Sequence, residues 1–174
     1  MAIHIIIDGY NFIRQSPELA ALDRQDLQWG RETLVEMLAD YKRYRSHKIT
    51  VVFDGSADPS LFDARDRARG IAIRYSHGGE SADDVILRMA RHEKERALVV
   101  SSDREVMAAA ESAGASVMDS AAFEGKVAMA RYLAQKGGGE ESESAGWVPT
   151  TRKKGPSRRL SKRKRRARAK ANKL

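Results

Sequence analysis

Five short apolar runs punctuate the first 119 residues, at 3–7, 49–53, 71–75, 98–100 and 116–118. Each leads into a turn or into helical spacing, which predicts buried strands. Between them, residues 31–45, 83–95 and 104–113 carry apolar side chains three and four positions apart, and 121–135 do so after the last run. That spacing predicts amphipathic helices, and the strand–helix alternation predicts a mainly parallel sheet with helices on both faces. The segment 59–69, rich in Asp and Arg, suits a short exposed helix or a loop and is left open.

The pattern stops at Gly137, Gly138 and Gly139, and residues 140–146 are small and acidic, a composition that reads as a linker. A chain of 174 residues accommodates one domain with a proper core. The expected division is a folded domain over 1–136, a flexible linker over 137–151 and a basic tail over 152–174. The tail includes the unbroken cationic run Lys162, Arg163, Lys164, Arg165 and Arg166, whose mutual repulsion predicts disorder in the absence of a polyanion. Trp147 and Val148 either fold back onto the domain or stack on a base, and an anchoring or solvated role is the simpler reading.

Charge sharpens this division. The net +8 conceals a tail (140–174) with 13 Lys/Arg and 3 Glu beside a remainder with 19 Lys/Arg and 21 Asp/Glu. A polycationic appendage on a slightly acidic domain points first to nucleic acid, and an anionic membrane surface is a weaker fit. Cysteine is absent, which excludes disulfides and thiolate zinc sites, and the four histidines show no ligand-like spacing. Any metal must therefore be held mainly by oxygen. No apolar run approaches a membrane span and no charged segment precedes the first Ile-rich run, so a cytoplasmic location is expected.

The acids gain meaning from their positions. Asp8 ends the first strand, Asp54 ends the second, and Asp103 follows the fourth after two serines, while Asp83 and Asp84 open the helix before that strand. In an open parallel sheet, ligands gather beyond the carboxyl ends of the strands. If the first strand is central with the second and fourth beside it, these acids meet at one edge. A lone strand-end Asp is more often a turn former or a helix cap, but three together shift the reading towards a site. Converging carboxylates take up protons or bind a cation, and Mg²⁺ or Mn²⁺ matches an all-oxygen donor set.

Other residues are candidates for supporting roles. Asn11 is expected in the same loop as Asp8, where its amide orients water or phosphate, or merely stabilises a turn. Ser101 and Ser102 donate to phosphate or cap the next helix. Arg31 opens the long helix, where its charge gains nothing from the dipole, so an acidic or phosphate partner competes with plain solvation. His77, before two glycines, reads as a solvated loop residue. In the tail, Arg158 and Arg159 join Lys162, Arg163, Lys164, Arg165 and Arg166 as candidate RNA contacts.

With these residues in place, the chain resembles the NYN domain family, specifically its YacP-like branch, within the PIN-like nuclease superfamily. The match rests on Ile5-Ile6-Ile7-Asp8-Gly9-Tyr10-Asn11, Val51-Val52-Phe53-Asp54-Gly55, Glu80-Ser81-Ala82-Asp83-Asp84 and Ser101-Ser102-Asp103, with Arg31 where such proteins tend to carry arginine. It covers roughly 1–136 and leaves the tail outside. The resemblance implies a PIN-like, Rossmannoid three-layer α/β sandwich with a five-stranded sheet of order 3-2-1-4-5. It also implies an Mg²⁺ or Mn²⁺ site and endoribonuclease activity on mRNA, rRNA or tRNA. By motif, Asp8 and Asp83 are the main ligands, Asp54 and Asp103 stand close by, and Asn11 assists. Many relatives read Ala-Asp-Glu where Asp84 stands here, and its acidic character places Asp84 among the candidate ligands too.

Other classes fit less well. A haloacid-dehalogenase-like phosphatase needs an Asp where Tyr10 stands, a receiver domain needs a lysine near Asp119, and the Gly-rich signatures of nucleotide-binding folds are missing. The serious rival is a non-catalytic RNA-binding or ribosome-associated module with a vestigial acidic pocket.

Overall fold

The computed structural model describes residues 2–55, 66–136 and 162–174. The linker expected over 137–151, with Trp147 and Val148, lies outside the described residues, as do Arg158 and Arg159.

The strands are β1 (His4–Asp8), β2 (Lys48–Phe53), β3 (Asp66–Ala68), β4 (Ile71–Tyr75), β5 (Ala97–Val100) and β6 (Ser116–Met118). They form one sheet of order β3-β4-β2-β1-β5-β6. The five expected strands thus stand in the order 3-2-1-4-5, all parallel, and β3 adds an antiparallel sixth at the edge. β3 falls within the segment left open. It joins β4 through Arg69 and Gly70, both left-handed (φ 52° and 83°), as a tight hairpin requires. Arg-Gly lacks the Asn-Gly or Asp-Gly signature, which is why the sequence did not announce the turn.

β1 is central, paired with β2 and β5, and all five of its residues are buried. Ile5, Ile6 and Ile7 are wholly inaccessible, each stabilising the fold by about 1.5–3 kcal/mol. Alternate residues serve two cores. Ile5 and Ile7 pack with Leu34, Leu38, Tyr41 and Phe123, whereas Ile6 packs with Val52, Val99, Ile86 and Ala110.

Helices α1 (Gly9–Gln15), α2 (Pro17–Asp23), α3 (Leu27–Tyr44) and α6 (Ser120–Lys136) cover the first face. Helices α4 (Ala82–Glu93) and α5 (Arg104–Ser112) cover the second. The long helices match expectation, although α3 begins at Leu27, so Arg31 sits one turn inside it rather than at its start. α1 and α2 are additional, and Asn11, expected in a loop, lies in the first turn of α1. Both are seven residues long, too short for periodicity to register, yet each is capped: Asp8 accepts from Asn11 N, and Ser16, followed by Pro17, accepts from Leu19 N.

The basic run departs further from expectation. Residues Lys162–Asn172 form α7, and Leu174 is 5% exposed within the first core. Tyr41 donates its hydroxyl to Leu174 O (3.2 Å), Lys170 Nζ reaches Ala97 O (3.4 Å), and Arg166 pairs with Glu95. Disorder was expected because like charges repel. A carboxylate, a backbone carbonyl and an apolar anchor together oppose that repulsion. These anchors lie by the amino ends of β2 and β5, opposite the end that Asp8 occupies.

If Leu174 holds this helix, Leu174→Ala should lower stability by about 2 kcal/mol, the low end for a buried leucine because the segment can peel away. Urea unfolding that superimposes on wild type would show that α7 adds nothing to the fold.

Candidate active site

Two features place Asp8. The strand β1 delivers it to the carboxyl edge of the sheet, opposite Val52 of β2, and the chain turns there at once into α1. Its Oδ1 accepts from Asn11 N (3.3 Å) and its Oδ2 from Ser101 Oγ (3.2 Å), and only 8% of the residue is accessible. Burial raises its pKa from the ordinary 3.8 to about 6. The charges of Asp83 and Asp103 push the same way, against the two hydrogen bonds.

Asp83 stands in the first turn of α4. Its pKa is raised as well, by partial burial first and then by the charges of Asp103, Asp84, Asp54 and Glu105. Asp54, just beyond β2, is half-buried and accepts from Ser76 Oγ (3.4 Å), which itself receives Gly55 N (3.1 Å). Asp103 caps α5 through Glu105 N (2.8 Å) and Val106 N (3.3 Å), and its own N–H donates to Ser101 Oγ (3.1 Å). Ser101 thus joins Asp8 to Asp103 through one buried hydroxyl. The fold therefore brings Asp8, Asp83 and Asp103 within electrostatic reach of one another at a single sheet edge, with Asp54 within reach of Asp83.

Asp84 is oriented differently. Its carboxylate receives Ser81 N (3.0 Å) and Ser81 Oγ (2.8 Å) in a capping box, and these bonds lower its pKa. Capping of α4 accounts for its geometry.

Asn11 and Ser102 hold loops together. Asn11 Oδ1 accepts from Ser102 N (2.8 Å) and Ser120 Oγ (3.0 Å), tying α1 to the β5–α5 loop and to α6. Ser102 Oγ donates to Asp119 Oδ2 (2.9 Å) and accepts from Ser120 N (3.3 Å). Asp119 and Glu105 were not singled out as site candidates. Asp119 follows β6 as Asp54 follows β2, so the strand-end rule applied to it equally.

Arg31 lies on the opposite flank. Its guanidinium sits 5.9 Å from the centre of the Tyr75 ring, and its charge also reaches Tyr10. Tyr10, Phe53 and Tyr75 form an aromatic wall there, Tyr10 edge-on to Phe53 at 5.1 Å and Phe53 stacked on Tyr75 at 5.8 Å. The tail cations are elsewhere: Arg166 pairs with Glu95, Lys164 is exposed, and the side chains of Lys162, Arg163 and Arg165 lie outside the described residues.

The donor set suits a hard divalent ion, being all oxygen, partly buried and under mutual repulsion. Among the described residues, however, no group of three or more Asp, Glu or His side chains is close enough to hold a metal by itself. Among the described residues, no helix is long and apolar enough to cross a membrane.

Comparison with known proteins agrees with this architecture. The YacP-like NYN domain matches residues 5–172, so the match continues through the basic run where the motif resemblance stopped. The protein YacP of Bacillus subtilis (strain 168) is 28% identical over 87 residues, 50% of this chain and 51% of that protein, so the match spans about half the relative's length. The crystal structure of Rae1 (YacP) from Bacillus subtilis superimposes with a TM-score of 0.66 at 24% identity, covering 78% of this chain and 79% of that one. A mutant form of Rae1 gives 0.67 at 21%, covering 77% and 80%. The chain belongs to the YacP-like NYN domain family.

Proposed function

We propose that this protein is an endoribonuclease that hydrolyses RNA phosphodiester bonds at the Asp8 pocket with Mg²⁺ or Mn²⁺. The observation that carries the reading is Asp8 itself, a buried carboxylate whose pKa is pushed to about 6 beside two further acids. Near neutral pH such a group is largely ionised, and a bound cation offsets the cost of burying its charge. The ion, when bound, supplies Lewis-acid neutralisation of the phosphodiester and activation of water.

The chain's own residues do the positioning. Ser101 and the Asn11 N–H fix Asp8 from two sides. Asp83 faces it from α4, while Asp54 and Asp103 flank the pair and Asn11 locks the surrounding loops. Asp8 and Asp83 are the principal ligands on this reading, and Asp84 contributes charge from the rim. Family membership supports the assignment, as a PIN-like nuclease ancestry makes phosphodiester chemistry the economical use of these acids.

On the same reading residues 1–136 perform the chemistry, and the basic run of 152–174 supplies RNA affinity, its α7 portion lying at the far end of the sheet. Arg31 and Ser102 contact substrate at the pocket's margins. A cytoplasmic RNA or the ribosome is the partner. The alternative is an RNA-binding module without catalysis, and it differs in one measurable respect, having no metal-dependent product.

Incubation of the full chain with a mixed RNA pool should give new ends with Mg²⁺ or Mn²⁺ and none with chelator. Asp8→Asn and Asp83→Asn should each lower the cleavage rate by about 100-fold or more, as removal of a main electrostatic contributor does. Cleavage that persists in chelator, or in Asp8→Asn at the wild-type rate, would remove the assignment.

Asp8 also predicts an unusual pH dependence of stability. The folded chain holds this proton more tightly than the unfolded one, so stability falls as pH rises from about 3.8 through about 6. In metal-free buffer Asp8→Asn should gain about 2 kcal/mol at pH 7 and little at pH 4. Denaturation curves showing the same difference at both pH values would contradict the burial argument.

A further inference from the structure

A cleft of about 310 Å³ opens on the α4 face of the sheet, away from the acidic pocket. It is lined by His4, Lys48, Arg74, Arg88, His92 and Glu93. His4 and Lys48 face each other in register at the amino ends of β1 and β2. Arg74 comes from β4, opposite Val52, while Arg88 and His92 come from successive turns of α4.

The charge balance of this cleft is lopsided. Among the described residues that line it, the one carboxylate is Glu93, shared among His4 (3.1 Å), Lys48 (3.8 Å), His92 (3.9 Å) and, from outside the lining, Arg96 (3.1 Å). Arg88 pairs with Glu80, on the side towards the acidic pocket. His4 Nδ1 hydrogen-bonds with Glu93 and Nε2 with Thr50 Oγ1 (2.8 Å), so the ring is held from both sides at the floor of the cleft. Burial first, and then the charges of Lys48 and Arg74, hold His4 below its ordinary pKa, so both cations act on the same small volume. Cations crowded around one already shared carboxylate repel one another, and an anion entering the cleft relieves that repulsion.

The helix α4 connects the two sites. Asp83 stands at its start in the acidic pocket, and Arg88 and His92 follow five and nine residues later. At about 1.5 Å per residue they lie roughly 7 and 13 Å further along the axis. A phosphodiester strand anchored in the cleft thus has its next few phosphates within reach of the pocket.

We infer that this cleft is an RNA backbone subsite, in which Lys48, Arg74 and Arg88 hold phosphates of the strand whose scissile bond enters the Asp8 pocket. The inference rests on the proposed nuclease reading for the direction of the strand, but its binding test does not.

The probe is a single-stranded oligouridylate of about eight nucleotides, with uridine monophosphate as the small-anion control, titrated against full-length protein in chelator at several salt concentrations. Lys48→Ala/Arg74→Ala should weaken oligonucleotide binding about tenfold at low salt and make the log–log salt slope shallower by about 1.4, at 0.7 per lost phosphate contact. Arg88→Ala, on the other wall, should make it shallower by about 0.7 and guards against a folding defect in the double variant. Unchanged affinity and slope in both variants would overturn the subsite even if wild type cleaves RNA. A monophosphate bound as tightly as the oligomer would overturn it too, as that marks a small-anion site. The reduced slope without cleavage by wild type under any metal would keep the subsite and remove the nuclease reading.

Discussion

The fold turns on one constraint: the fully buried central strand of the sheet ends in a charged group. β1 has no accessible isoleucine, and its next residue is a carboxylate with a pKa near 6. Three local arrangements make this tolerable. The α1 backbone donates to Asp8, Ser101 donates from the neighbouring strand end, and the rest of the burial cost appears as a proton held too tightly or as an affinity for a cation. Everything else at this edge is arranged around that carboxylate. Asp103 is locked to it through the Ser101 hydroxyl, and Asn11 binds the surrounding loops through a single carbonyl oxygen.

Strand-end acids in this protein carry two roles, which explains how far the sequence could be read. Asp8 and Asp103 are helix caps, the bland reading of each, and they are also members of a charged cluster. Capping uses one carboxylate oxygen and leaves the other for something else, so neither reading excludes the other. Asp83 and Asp84 separate for the same reason: Asp84 sits three residues after Ser81 and closes the capping box, and Asp83, one residue earlier, faces the other acids. A motif shows two adjacent acids, whereas the 100° turn between them is a property of the helix.

The parallel strands and the long helices were legible because their apolar spacing is a direct consequence of burial on two faces. The seven-residue helices α1 and α2 were not, because their information lies in caps rather than in periodicity. β3 depends on an Arg-Gly turn with no strong signature. The docking of α7 was hidden by its composition, since a run of cations advertises repulsion and conceals the partners that hold it: Glu95 and the Ala97 carbonyl at the start of β5, and the Tyr41 hydroxyl near the end of α3, come from two distant parts of the chain. The basic cleft was equally illegible. Lys48, Arg74 and Arg88 are unremarkable singly, and only the strand order β4-β2-β1 beneath α4 brings them together.

The glycines that follow Asp8 and Asp54 show why the acids and the aromatic wall form one unit. A Cβ on Gly9 would lie 2.3 Å from the Phe53 ring, and one on Gly55 would lie 2.3 Å from the Ser76 carbonyl oxygen. Neither contact is possible, so both positions need glycine for closeness and not for an unusual φ. Gly9 lets α1 descend onto Phe53, which sets the depth of Asp8 and seats Tyr10 against the same ring. Gly55 lets the chain leaving β2 pass against the end of β4, which keeps Asp54 on Ser76 and holds Tyr75 stacked on Phe53. Arg31 then rests over Tyr75 at a distance fixed by the stack beneath it. A side chain at either glycine would therefore displace an acid and the aromatic stack beneath Arg31 together.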